Sequence, residues 1–260
     1  MTFIDWLYSE RPEGAVVEAN PWGLLHITVL LSVIAVIFLI ALVFRKKDER
    51  IRRIVMLIIT IGLVFFEVTR RIINLSRGDL IVDGIIDWDL IIYRLIPRPW
   101  CAISCWVMIA SFFVKKKFFY NFTVMSSLLS AVIFFAYPEV GFKTHIAFEE
   151  IYSIGTHSLL LIGSISLITL KFTDFRYNRG KEKFWYELIC YGVVFMYAIL
   201  EIILKIEPDP LYFMPGNGVN EIISLPYPIY LFLYLVFIFG VWNNTFYLIP
   251  IIINNQKNKK

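Results

Sequence analysis

Three cysteines in 260 residues, Cys101, Cys105 and Cys190, are too few and too irregularly spaced for a disulfide framework, and no CxxC pair marks a metal site. Histidine is as scarce. His26, His145 and His157 stand apart, with no pair at the spacing that places two zinc ligands on one helix face. The chain has no glycine-rich phosphate loop and no G-x-S-x-G elbow, which excludes P-loop nucleotide chemistry and the serine hydrolases built on that turn. No metal and no cofactor is therefore expected. Charged residues amount to only 18%, against roughly 25% in soluble domains.

What remains is hydrophobic. Apolar side chains make up 58% of the chain and aromatics 17%, with a mean hydropathy of +0.70. A soluble domain of this length could not hide that much apolar surface from water. The expected fold class is all-α: one polytopic transmembrane helix bundle over residues 1–260. A crossing helix needs about 20 mainly apolar residues. About seven runs meet or approach that length: residues 22–44, 54–70, 100–114, 118–137, 151–172, 185–204 and 227–253. The second carries Glu67 and Arg70 at its far end. The third is short unless residues 90–96 contribute to its start. Residues 1–20 are acidic, with neither the basic nor the apolar region of a cleaved signal, so the first span is expected to stay in the mature protein.

Orientation follows from the cations, because cytoplasmic loops keep the excess Lys and Arg. Residues 45–53, 115–117, 171–183 and 254–260 alternate along the chain and hold 17 of the 25 Lys and Arg. This pattern predicts an amino terminus outside and a cytoplasmic carboxyl terminus, in a cell membrane, bacterial plasma membrane above all. The net charge of +4 then has a topological origin and calls for no nucleic-acid partner.

Ionisable residues inside spans are costly, and each marks a candidate site. On this topology His26, Glu67, Arg70, Arg71, Cys101, His157 and Glu201, from five different spans, all fall in the outer half of the bilayer. Glu67 and Arg71 are i, i+4 and can pair on one face, which reads as a structural ion pair before a catalytic one. Cys101 opens a helix beside Arg98, where dipole and cation both favour a thiolate, whereas Cys105 and Cys190 read as small hydrophobes. Glu187, Asn243 and Asn244 fall toward the inner half and read as interfacial or packing residues.

The stretch W-G-L-L-H-I-T-V-L-L-S-V-I-A from Trp22, Glu67, the P-R-P-W-C-A-I-S of residues 97–104, and the block from Tyr120 to Leu160 with His145 and F-E-E-I-Y-S-I-G-T-H-S-L-L-L resemble the YwaF-like integral membrane proteins of bacteria. That family is similar to a eukaryotic multi-span acyltransferase acting on lysophospholipids and, more distantly, to membrane hydrolases of fatty esters. The resemblance implies Cys101 as nucleophile and His157 as base, with His26 and His145 nearby. The family pattern L-P-x-H-x-C has a histidine where this chain has Pro99. On this reading the partners are membrane lipids, a phospholipid or lysophospholipid substrate among them, and Glu67, Arg70, Arg71 and Arg98 line the substrate site, the arginines placed to hold a phosphate headgroup.

The competing class is a non-enzymatic small-solute transporter or membrane-embedded binding subunit, in which buried ionisable residues bind solute or relay protons. A third reading, a scaffold without a small-molecule site, predicts that the polar residues of the outer half pair off completely.

Overall fold

The structure is a computed structural model that describes residues 7, 22–76, 80–82, 85–97, 99–137, 142, 147–173, 175, 177–203 and 224–248. It is mostly helical. In chain order the elements are α1 (Leu24–Phe44), α2 (Glu49–Leu75), a two-stranded antiparallel ladder of β1 (Ile81–Val82) and β2 (Ile85–Ile86), α3 (Trp88–Leu95), α4 (Trp100–Val114), α5 (Lys117–Ala136), α6 (Phe148–Thr169), α7 (Tyr177–Ile203) and α8 (Tyr227–Leu248). Four of these, α1, α5, α6 and α8, are long and apolar enough to cross a membrane. The pair α3 and α4, bent by 62° at the prolines between them, adds a fifth if it counts as one broken span. Helices α2 and α7 are each 27 residues, long enough to cross at about 1.5 Å per residue, but they carry more charge.

Local chemistry sets the boundaries. Asp48 caps α2 by accepting from the Ile51 N–H at 2.9 Å, and Asp87 caps α3 through Leu90 at 2.9 Å. Pro99 occupies the N-cap of α4, where its missing N–H costs no helical bond. Lys115, in the left-handed region at φ 53°, ends that helix. The chain then turns within two residues into α5, so α4 and α5 pack as an antiparallel hairpin.

Helix α6 is the hub of the bundle, in contact with α1, α2, α4 and α5. It meets α2 closely because glycines line the seam. A Cβ at Gly155 would lie 2.4 Å from the Phe66 ring, one at Gly62 would lie 3.0 Å from Leu159, and one at Gly163 would lie 3.3 Å from Ile59. Numbers that rise on α6 as they fall on α2 define an antiparallel pair, and small residues at the seam let the backbones approach. Gly163 also abuts Met108, which packs α4 against α6. By contrast α1 is almost wholly outward-facing, with only 6% of its apolar window buried. Helix α5 inverts that pattern: Asn121, Thr123, Ser126, Ser127 and Ser130 are all buried against neighbours. Between helices in a lipid-like setting, such small polar side chains serve as contact surface and not as solvent face.

Candidate functional site

Glu67 is fully buried and collects three side-chain donors from three helices. Arg71 Nη1 donates to Oε2 at 2.5 Å, Trp106 Nε1 donates to Oε2 at 2.9 Å, and the Tyr152 hydroxyl donates to Oε1 at 2.6 Å. Arg71 also donates to the Leu95 carbonyl at 2.9 Å and lies 5.1 Å above the Trp106 ring. Arg70 sits 4.7 Å over the Tyr152 ring and pairs with Glu149 at 3.4 Å. The result ties the end of α2 to the starts of α4 and α6. A carboxylate with several charge-assisted donors is a closed network, and closed networks fix geometry. The i, i+4 pairing of Glu67 with Arg71 is present as expected; Trp106 and Tyr152 complete it.

Cys101 lies in the first turn of α4, partly exposed and within electrostatic range of Arg70 and Glu67. His157 is elsewhere. Its ring stacks on Phe134 with centroids 3.9 Å apart and planes 10° apart, and Nδ1 meets the Ser153 carbonyl at 2.7 Å. Since a carbonyl only accepts, Nδ1 carries the proton and Nε2 the lone pair.

Cys101 lies within electrostatic range of Arg70 and Tyr152, whereas His157 stands five residues beyond Tyr152 along α6. Azimuth separates them as well. His157 is two residues from both Gly155 and Leu159, which face α2, and two residues are about 200° on an α-helix. His157 therefore faces away from the Glu67 side, and no hydrogen bond joins it to Cys101. His26 is also fully buried, held between Trp22 (4.7 Å) and Phe142 (4.5 Å) with Phe135 at 6.1 Å. The two histidines thus share the aromatic cluster of Phe134, Phe135 and Phe142. Arg98, His145 and the side chain of Glu201 lie outside the described residues.

A second polar group forms where α5, α7 and α8 meet. Each helix contributes residues at i, i+4, hence on one face: Asn121 with Met125, Glu187 with Tyr191, and Asn243 with Tyr247. Asn121, Glu187 and Asn243 are fully buried, and Tyr191 and Tyr247 nearly so. Tyr247 lies within electrostatic range of Glu187 and close to Asn121. Trp242 donates to the Met125 carbonyl at 3.0 Å and docks α8 on α5.

Within α8 the segment Val236–Trp242 is π-helical and ends at Asn243, whose N–H reaches back to the Ile238 carbonyl. Asn244 stitches the same segment by donating to Phe239 and Gly240 carbonyls at 3.1 and 2.9 Å. Neither side-chain atom of Asn243 has a protein partner, nor does the Tyr191 hydroxyl. Sequence reasoning passed over this group because each residue alone looks like packing. The available signal was the i, i+4 spacing of polar residues in two helices, Glu187 with Tyr191 and Asn243 with Tyr247.

Among the described residues no three His, Cys, Asp or Glu side chains converge as a transition-metal site would require. Comparison with protein-family models, with curated proteins and with solved structures finds no match to this chain.

Proposed function

We propose that this chain is a non-enzymatic membrane-embedded binding protein or transporter whose solute site is the cluster of Asn121, Glu187, Tyr191, Asn243 and Tyr247. The observation that carries this reading is Asn243: a fully buried amide with no protein partner at either atom, at the end of a π-helical segment. Buried polar groups are nearly always satisfied, and an orphan among them calls for an explanation. Single π turns inside α-helices occur frequently at functional sites. The Glu67 network is the opposite case, closed on itself, and its role is to hold α2, α4 and α6 together.

The donor set of the second cluster is all oxygen, with one carboxylate, two carboxamides and two phenols. Hard oxygen ligands match a small hard cation. The proposed topology is the seven-span arrangement with the amino terminus outside and the carboxyl terminus cytoplasmic, in a bacterial plasma membrane. On that arrangement α2 and α7 cross as well, and the cluster lies toward the cytoplasmic side.

Thermal unfolding of detergent-purified protein tests the reading at constant ionic strength in sodium, potassium, lithium, ammonium or N-methylglucamine chloride. One small cation at about 100 times its Kd is expected to add about 2.7 kcal/mol. At about 2–4 °C per kcal/mol for a protein of this size class, Tm rises by roughly 5–11 °C. Glu187→Gln is expected to abolish that rise. Equal Tm in all five salts would sink the proposal.

A second reading follows the resemblance to YwaF-like proteins: acyl transfer by Cys101 and His157. It is favoured by the contact of His157 Nδ1 with the Ser153 carbonyl, which leaves Nε2 as proton acceptor. The Cys101 sulfur would attack a lipid ester carbonyl to form a thioester, the Cys101 proton passing to His157 and then to the departing alcohol oxygen. This reading requires α6 to turn His157 toward α4. It predicts a hydroxylamine-sensitive acyl label that is absent from both Cys101→Ala and His157→Ala; a label that survives in Cys101→Ala rules the reading out.

A further inference from the structure

At the junction of α1 and α2, five cations converge. Arg45, Lys46, Lys47, Arg52 and Lys171 line a recess of about 510 Å³, and no acidic side chain lines it. The acids of the same loop are turned to other work: Asp48 caps Ile51 at 2.9 Å and Glu49 pairs with Arg53 at 2.6 Å.

Arg52 is held in place. Its Nη1 donates to the Leu170 carbonyl at 2.5 Å, at the end of α6, and its guanidinium carbon lies 5.8 Å from the Phe172 ring centroid. Its Nε is buried and has no protein partner. A fixed guanidinium with an unclaimed buried N–H, ringed by four more cations, is arranged for the oxygens of an anion.

Topological charge alone accounts for cations in this loop, but not for their convergence. Dispersed, solvated lysines would satisfy the positive-inside rule equally well. Nor does helix capping need all of them, since one contact to the Leu170 carbonyl already serves the end of α6.

We propose that this recess binds the phosphate of an anionic membrane lipid. The lipid source is indicated by position. The recess lies at the ends of α1 and α6, both long and apolar enough to cross a membrane. Leu39, Leu42 and Val43 on α1 and Ile168 on α6 are exposed beside it, at 59%, 80%, 43% and 37%. A headgroup in the recess would leave its acyl chains against that apolar surface. Juxtamembrane cation clusters bind anionic lipid in this way, at about fivefold per Lys or Arg.

Native mass spectrometry of the full chain in detergent tests this with added dioleoylphosphatidylglycerol or dioleoylphosphatidylcholine. Wild type is expected to retain the anionic lipid over the zwitterionic one. The combined Lys46→Gln, Lys47→Gln, Lys171→Gln variant is expected to bind it about 100-fold more weakly. Arg50→Gln, at the same end but outside the recess, is expected to stay within about fivefold of wild type. The three lysines are exposed, so unfolding without lipid is expected at the wild-type temperature; if that variant unfolds early, the single reversal Lys47→Glu gives the same comparison. Retention unchanged in the lysine variants overturns the proposal. So does equal affinity for the two lipids. Displacement of the anionic lipid by an equal concentration of inorganic phosphate would reassign the recess to free anions and overturn the lipid source.

Discussion

Glu67→Ala is expected to cost the folded protein about 3 kcal/mol, the lower end of the range for removing one partner of a buried ion pair. The lower end applies because an unfolded chain held in a membrane or micelle finds other partners for its polar groups. Three donors lose their acceptor at once: Arg71, Trp106 and the Tyr152 hydroxyl, from α2, α4 and α6. Arg71 has little water to fall back on, its side chain being only 14% exposed.

The corresponding fall in Tm is roughly 6–12 °C. Glu67→Gln keeps a carbonyl oxygen for Tyr152 or Trp106 but turns an amide donor or a neutral oxygen toward Arg71, so a loss of about half that size is expected. Glu67→Leu combined with Arg71→Leu should lose less than the sum of the two single changes, because the second removes the charge that the first leaves stranded. Thermal unfolding in one detergent measures all five proteins: the Ala, Gln and Leu variants of Glu67, Arg71→Leu and the double variant. A Glu67→Ala protein within about 0.5 kcal/mol of wild type, the range of ordinary surface changes, would show that the network holds nothing together.

Helix positions were largely legible in the residues, and the exceptions share a cause. The third run was read as residues 100–114, and α4 is Trp100–Val114, because Pro99 and Lys115 punctuate it chemically. The second was read as residues 54–70, yet α2 runs Glu49–Leu75. Counting apolar residues finds the part of a helix that suits hydrocarbon and stops at the first charges, whereas the hydrogen-bonded helix continues to its caps at Asp48 and Ser76. The run at residues 151–172 was displaced for a similar reason. Glu150 accepts from the Ala147 N–H at 3.1 Å, and α6 starts at Phe148, ahead of the apolar stretch.

For the site, neither fine depth nor azimuth was legible. Counting residues from span ends groups Cys101 and His157 in one half of the bundle, while contacts between helices set Cys101 beside Arg70 and Tyr152 and leave His157 farther along α6. Which way a side chain faces depends on which neighbours the helix finds, and that is fixed by long-range packing such as Gly155 against Phe66. Glu67 shows the same division. Its partner Arg71 is four residues away and was foreseen, while Trp106 and Tyr152 are 39 and 85 residues away and no local pattern names them. In α8 a period of 3.6 residues misleads outright. The π-helical turns of Val236–Trp242 take up extra residues and rotate everything after them, so the faces of Asn243 and Asn244 relative to the first half of α8 could not be read from spacing.

Those two adjacent asparagines are expected to respond to the same substitution with opposite signs. Asn244→Leu removes two hydrogen bonds, to the Phe239 and Gly240 carbonyls, that stitch the π-helical segment to the turn after it. At about 1 kcal/mol per bond the loss is about 2 kcal/mol. Asn243→Leu removes a buried amide that bonds to nothing in the protein and puts an apolar side chain of similar size in its place. Relieving an unsatisfied buried polar group is expected to gain about 1–2 kcal/mol, raising Tm by roughly 2–8 °C.

If Asn243 is part of a binding site, that gain comes with a loss: the cation-dependent rise in Tm disappears together with the oxygen that served the cation. More stable and inert is the pattern of a residue kept for function at the expense of stability. The measurement is one pair of melting curves per variant, with and without the stabilising cation. Should Asn243→Leu instead lower Tm as Asn244→Leu does, the amide has a structural partner in the working protein, and the proposed site between α5, α7 and α8 falls with it.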